Sequence, residues 1–360
     1  MNPASGYKYV SNTCGGTVSG NTMTISNVTA NKTCTVTFGE PPLLVDKILS
    51  DNTVQSDSGI DFSQKSSDTN GKGLYYTSTN TENNQRTYYF RGAVTNNYVR
   101  FAGYYWKIVR INEDGSIRII YNGTSGTGTG EDTVIGTSAF NTNYDDNAYE
   151  GYMYGTARSS TYEAAHANTN NSTIKTVIDN WYNSNLSSYS SYLSDAGFCN
   201  DRSIYSGPGY NEEYDEGETF YGAYNRLDNN KTPQFACPNA SNDLFTTSTS
   251  SKGNKALTNP IGLITADEVW YAGATTSSNN TYYLYTGADY WTMTPWIFEG
   301  LDADVWYVYD DGQLSQTNVN YQIGGVRPVI NIKSTVRLSS TIPSGCSSQN
   351  GTASCPYVIG

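Results

Sequence analysis

From residue 290 the chain reads Tyr290-Trp291-Thr292-Met293-Thr294-Pro295-Trp296, then Val305-Trp306-Tyr307-Val308-Tyr309, then Asp310-Asp311-Gly312, and closes with Gly324-Gly325-Val326-Arg327-Pro328-Val329-Ile330-Asn331-Ile332. Aromatic and β-branched runs broken by Asp-Asp-Gly and Gly-Gly predict a strand, a hairpin with a polar turn and a buried closing strand. Side chains alternate across a strand, so Trp306 and Val308 share one face and Tyr307 and Tyr309 the other. The reading is that Trp anchors inside while Tyr faces solvent.

Working outward, the clearest upstream hairpin is Trp106 to Ile111, the loop Asn112-Glu113-Asp114-Gly115, and Ser116 to Tyr121, because alternating runs flank an Asp-Gly pair. Tyr88 to Gly92 and Tyr98 to Phe101 also read as strands. Ile174, Val177, Ile178 and Trp181 follow helical spacing behind Asn171 or Ser172, which predicts a helix over about 172–185. A second helix begins at Thr265, where Thr265-Ala266-Asp267-Glu268 is a capping box. Residues 187–255 carry little periodicity, and a loop that long is functional or pinned by a disulfide.

The remaining segments are simpler. Residues 1–40 read as a small β module with turns at Gly20-Asn21 and Asn31-Lys32, too small to bury a core without a covalent clip. Residues 41–86 read as a linker with one short local element at Leu43–Leu49, and residues 335–360 as an extended tail. The main domain therefore spans 87–334.

Six cysteines fall as the close pairs Cys14 with Cys34, Cys199 with Cys237 and Cys346 with Cys355. None has zinc-knuckle or redox spacing, and one histidine cannot complete a metal set. Local disulfides and an oxidising compartment are expected. The 360 residues carry 21 basic against 33 acidic side chains, a surface that repels phosphate backbones, so nucleic acid is excluded as a partner. No apolar run is long enough to span a bilayer, and any export signal, anchor or pilus segment is expected to lie outside this sequence. Aliphatics are few, but 32 Tyr, 10 Phe and 6 Trp supply the apolar area of a core, at about 150–250 Å² each.

Catalytic patterns are scarce. His166 stands in Ala-Ala-His-Ala-Asn without a Gly-x-Ser-x-Gly nucleophile motif, and reads as a hydrogen-bonded structural residue. Glu212-Glu213, Asp215-Glu216 and Glu218, and separately Asp302, Asp304, Asp310 and Asp311, could supply a glycosidase pair or calcium oxygens. No calcium-loop motif accompanies them, and solvated loop charge explains both sets. The glycine-rich run Gly123 to Gly130 lacks the Lys-Ser/Thr of a phosphate loop. The conspicuous feature is Tyr beside Ser, Gly and Asn, which gives rigid amphipathic contact area with adaptable hydrogen bonding, as in a paratope.

The 290–331 motifs resemble the C-terminal variable region of C-type-lectin-fold target proteins of diversity-generating retroelements. Tyr89-Phe90-Arg91-Gly92, Phe101 to Trp106 and Thr265 to Glu268 are similar to a domain of surface and pilin-like proteins of gut bacteria. The resemblance spans about 87–333, and it implies an α+β fold that is C-type-lectin-like (formylglycine-generating-enzyme-like), with a variable region at about 290–328. It implies a frame of Trp291, Trp296, Trp306, Gly312, Gly325, Arg327 and Pro328. It also implies a diversified ligand-binding surface of Ile297, Phe298, Leu301, Asp302, Asp304, Tyr307, Tyr309, Asp310, Asp311, Asn318, Asn320 and Tyr321. The formylglycine-generating enzymes sharing that fold use reactive cysteines near the C-terminal region, and no cysteine lies between 237 and 346 here. The Glu-Pro-Asn and Trp-Asn-Asp motifs of calcium-dependent lectins are absent too.

The sequence therefore predicts an adhesin or receptor on a cell surface or pilus. It would bind a protein or glycan on another cell, phage or host surface without catalysis, cofactor or metal. The alternatives are an extracellular glycoside-active enzyme using loop carboxylates and a passive pilus or stalk subunit.

Overall fold

The computed structural model describes residues 1, 4, 7–210 and 218–360. The chain is a mixed α+β protein built on two antiparallel-rich sheets. Strands β1 (Lys8–Asn12) and β4 (Val36–Gly39) pair antiparallel, and β2 (Thr17–Ser19) and β3 (Thr22–Thr24) form a hairpin between them. No residue of these four strands is buried. The module thus leans on the Cys14–Cys34 bond, whose Cα atoms stand 5.4 Å apart, since a disulfide limits the unfolded chain when a core cannot form.

The stretch expected to be a linker is folded into the main body. Helix Leu44–Asp51 buries Leu44 and Ile48, four residues apart on one face. Strand β5 (Val54–Ser56) runs parallel to β6 (Gly73–Thr77), which pairs antiparallel with β7 (Thr87–Arg91). Cross-strand ring pairs Tyr75–Tyr89 and Tyr76–Tyr88, at 6.1 and 6.5 Å, supply the stabilisation that such pairs give a sheet. A spacer reading fails here because a strand of tyrosines hides in a polar neighbourhood.

The hairpin of β9 (Tyr104–Ile111) and β10 (Ile117–Tyr121) is the centre of the first sheet, with β8 (Tyr98–Phe101) on the far half of β9. Next come a two-residue pair, β11 (Met153–Tyr154) with β12 (Asn170–Asn171), and helix Thr173–Asn185, capped by the Ser172 hydroxyl accepting from Lys175 N. The long middle loop is pinned by β13 (Phe198–Cys199) and by the Cys199–Cys237 disulfide.

The second sheet orders β14 (Ile204–Ser206), β15 (Thr219–Tyr221), β17 (Tyr290–Glu299), β18 (Asp302–Val308) and β19 (Leu314–Asn318), while β16 (Leu244–Phe245) pairs with β13. Strand β20 (Val329–Ile332) then crosses back beside β10. Helix Ala266–Ala272, every residue of which is buried, packs against β7 of the first sheet and β17 and β19 of the second. The expected tail is also docked: β21 (Tyr357–Val358) runs parallel to β8, and the Tyr357 hydroxyl donates to Asp51 at 3.0 Å.

All three predicted disulfides form and no free cysteine remains. Among the described residues no helix is long and apolar enough to cross a membrane. The three disulfides fit a secreted or extracellular protein.

Candidate functional site

The frame expected from the terminal motifs is built as follows. Trp291 and Trp306 are buried, and the Trp291 indole donates to Ser138 O at 2.8 Å. Trp296 is half-buried, edge-on to Trp306. Gly312 sits at φ +80°, and a Cβ there would stand 1.8 Å from Asn279 O. No other residue fits that turn. A Cβ at Gly325 would stand 2.2 Å from Asp289 O. Arg327 and Pro328 are buried at the entry to β20.

Three of the twelve expected display residues point inward. Ile297, Phe298 and Tyr307 are buried. Ile297 and Phe298 lie where β17 pairs with β15. The Tyr307 ring stands edge-on to Trp291 at 4.8 Å and is covered by Tyr309 and Tyr321. The physical reason is that β18 is an interior strand between β17 and β19, and its residues 305–308 are buried in succession. With both faces covered, alternation does not separate a dry side from a wet one.

The other nine are exposed or half-exposed, and they fall in two places. Leu301 and Asp302 lie at one end of β18, and Asp310 and Asp311 at the other, about 20 Å away at strand spacing. At the Leu301 end the chain gathers a continuous edge. Ala303 N donates to Tyr144 O, Val319 N to Ala303 O, Asn141 N to Val319 O, all at 2.9 Å, and Tyr321 N to Asn318 O at 3.0 Å. The Asn318 amide also donates to Asp302 at 2.8 Å. Half-exposed Asp304, Asn318 and Asn320 lie at this end with exposed Leu301, Asp302 and Tyr321, while half-exposed Tyr309 starts from the Asp310 end and donates its hydroxyl to Gln316 O at 2.8 Å.

Two members of this edge were not legible in the sequence, Tyr144 and Ile323, which are 40% and 63% exposed. Tyr144 arrives from a loop about 160 positions upstream, so only tertiary contact reveals it. Of nine exposed large apolar side chains among the described residues, four, Tyr144, Leu301, Tyr321 and, two positions beyond it in the chain, Ile323, belong to the segments that meet here. Such clustering marks an interaction surface more than scattered exposure does. Asp310 and Asp311 instead border an open polar hollow with Ser278, Asn279, Asn280 and Tyr285.

One carboxyl on the edge is perturbed. Burial pushes Asp304 up to about 7, with Asp302 and Glu299 adding to the rise, and its Oδ1 is buried without a partner. A carboxyl whose folded value is raised stabilises the fold below the unfolded value near 4 and loses that contribution as pH climbs towards 7. Asp304→Asn is therefore expected to melt above the wild type at pH 8, with the gap closing by pH 4. Calorimetric melting between those limits checks it, and a gap independent of pH would refute it.

His166 is 1% exposed and its Nε2–H donates to Gly209 O at 3.0 Å. Burial, with Arg202 nearby, drives it down to about 3, so the ring is neutral and has no path to a substrate. The acidic run Glu212-Glu213, Asp215-Glu216 lies outside the described residues, and Glu218 is exposed. Among the described residues no group of three or more His, Cys, Asp or Glu is placed to hold a metal.

A family model described as a domain of unknown function (DUF6273) matches residues 156–334. The matched stretch runs from before helix Thr173–Asn185 to the end of β20, and so contains the second sheet with most of the edge, Tyr144 lying upstream of it. No curated protein and no solved structure matches the chain.

Proposed function

We propose that this protein is an extracellular recognition protein, displayed on a cell surface or pilus, that binds a protein or glycan partner without turnover. The observation that carries the reading is the edge itself: four exposed apolar side chains ringed by Asp302, Asn318 and Asn320, on a sheet held by buried Trp291 and Trp306. Binding energy concentrates in a few such anchors, and a stiff support lowers the entropic cost of using them.

The C-type-lectin-like fold and diversification by a retroelement belong to the same proposal. The buried frame residues support it. Ile297, Phe298 and Tyr307 leave the interchangeable set, since free substitution there would disturb the core, and Tyr144 and Ile323 join the binding face. The genetic expectation is a near-repeat of the codons for 290–330, differing mainly at adenines, beside a reverse transcriptase gene.

The binding test uses labelled full-length protein on a printed glycan array and on cultured epithelial cells. The double variant Tyr321→Ala/Ile323→Ala is expected to lose at least thirtyfold in apparent affinity, the loss of about 2 kcal/mol for a single anchor, with its melting temperature within a few degrees of wild type. Undiminished binding by that variant would sink the assignment of the face.

One observation favours the glycoside-active alternative. Asp304, pushed up to about 7 by burial with Asp302 and Glu299 nearby, has the character of a general acid beside a second carboxyl group. Release of chromophore from aryl glycosides by wild type and not by Asp304→Asn would replace recognition with hydrolysis.

A further inference from the structure

A cavity of about 300 Å³ opens beside the start of helix Ala266–Ala272, walled in part by the Cys199–Cys237 disulfide, and it shares no residue with the edge described above. Its volume is that of about ten waters, at the small end of ligand pockets.

The floor holds two guanidinium groups. Arg118, on β10, is 1% exposed, and Arg110, on β9, is largely buried. Both grip one oxygen of Glu268, Arg110 Nε at 3.0 Å and Arg118 Nε at 2.7 Å. The other Glu268 oxygen accepts from Thr265 N. The neighbouring carboxylates are equally engaged: Asp267 and Asp201 together occupy all three nitrogens of Arg226. At the rim Lys252 pairs with Glu82, and Glu113 faces Arg110 at 3.7 Å. Charge is thus nearly balanced, and carboxylate acceptors are spent.

Donors are left over. Arg110 Nη1 is buried without a hydrogen bond. Arg118 donates Nη1 to Gly197 O at 2.8 Å, and its Nε, ion-paired with Glu268 at 2.7 Å, lies outside hydrogen-bond geometry. Arg110 is held in place by the Phe235 ring, 4.8 Å from its guanidinium and itself stacked on Tyr271 at 4.0 Å. One buried acceptor is also unmet on the cavity wall, Asn112 Oδ1. Guanidinium forks suit carboxylates and phosphates alike, but a wall of five carboxylates against four cations favours the singly charged carboxylate, and an amide oxygen suits a hydroxyl donor.

We propose that this cavity is a second, small-molecule site that takes a hydroxylated organic acid of sugar-acid size, its carboxylate on the unmet Nη1 of Arg110 beside the Arg118 guanidinium and a hydroxyl on Asn112 Oδ1. The ligand completes hydrogen bonds that the fold itself leaves open, so it binds weakly to a ready-made site.

The test is melting of the full chain at constant ionic strength with 10 mM glucuronate, glucose, inorganic phosphate or chloride. Glucuronate is expected to raise the melting temperature by about 2–3 °C, as for a dissociation constant near 1 mM, while glucose, phosphate and chloride leave it unchanged. Arg110→Gln is expected to weaken glucuronate at least tenfold by calorimetric titration. Ala240→Phe obstructs the cavity from its half-exposed wall and leaves every ion pair in place, so it stands as the test if Arg110→Gln fails to fold, and it too should abolish the shift. An equal rise with glucose or phosphate, no rise with glucuronate, or a shift that survives Ala240→Phe overturns the proposal.

Discussion

Arg327→Met is expected to lower unfolding free energy by about 3–5 kcal/mol, a third or more of what a domain typically has. The side chain is fully buried, yet it has no carboxylate partner among the described residues. Its Nε donates to Tyr121 O at 3.2 Å, Nη1 to Leu284 O at 3.1 Å and Nη2 to Asn122 Oδ1 at 3.2 Å, and the guanidinium lies 4.7 Å from the Tyr290 ring centre. Three chain segments that are far apart in sequence therefore meet on one planar cation. Burial pushes its proton affinity down, and the Tyr290 and Tyr282 rings oppose that. Methionine fills much of the volume but strands Tyr121 O and Asn122 Oδ1, each at about 1–3 kcal/mol. Leu284 O suffers less, because the Tyr290 hydroxyl also donates to it. Arg327→Lys should lose nearly as much, since one ammonium cannot span three acceptors. Urea unfolding at pH 7 decides: a methionine variant within 1 kcal/mol of wild type would show that the fork is not what closes β20 onto the body.

What could be read in the sequence was what local chemistry specifies. The β9–β10 hairpin, the helix after Ser172, the capping box at Thr265 and the three disulfides depend on residues close together in the chain, and each formed as read. Two readings failed where burial is set by distant partners. Leu74, Tyr75 and Tyr76 look like polar-loop residues until β7 and helix Ala266–Ala272 are laid beside them. Tyr307 looks displayed until β19 and Tyr321 cover it. The candidate face was legible only in part for the same reason: Leu301, Asp302 and Tyr321 stand near the terminal turns, whereas Tyr144 is brought in by hydrogen bonds from another region. The ion pairs lining the second cavity left no sequence signal, because Arg110, Arg118 and Glu268 carry no spacing that distinguishes them from surface charges.

Those charges give the other large effect. Glu268→Ala should remove about 3–5 kcal/mol, through two separable causes. First, Arg118 is all but sealed, and burial already brings it down to about 10 even with Glu268 in place. Without the carboxylate it becomes an unpaired buried cation, the costly outcome of breaking an internal ion pair from one side. Second, the Glu268 carboxylate caps Thr265 N at 3.0 Å while Glu268 N donates to the Thr265 hydroxyl at 3.1 Å, and losing half of that box costs about 1 kcal/mol. Glu268→Gln separates them, because an amide oxygen can still cap the helix but cannot neutralise Arg118. The glutamine variant should therefore recover only the smaller part. Adding Arg118→Met to Glu268→Gln removes the stranded charge and should return at least 1–2 kcal/mol. Denaturant unfolding of wild type, Glu268→Gln, Arg118→Met and the double variant closes this cycle. A double variant no more stable than Glu268→Gln would mean that the pair acts on the fold through packing, and that the stiffness of β10 against the helix does not come from charge.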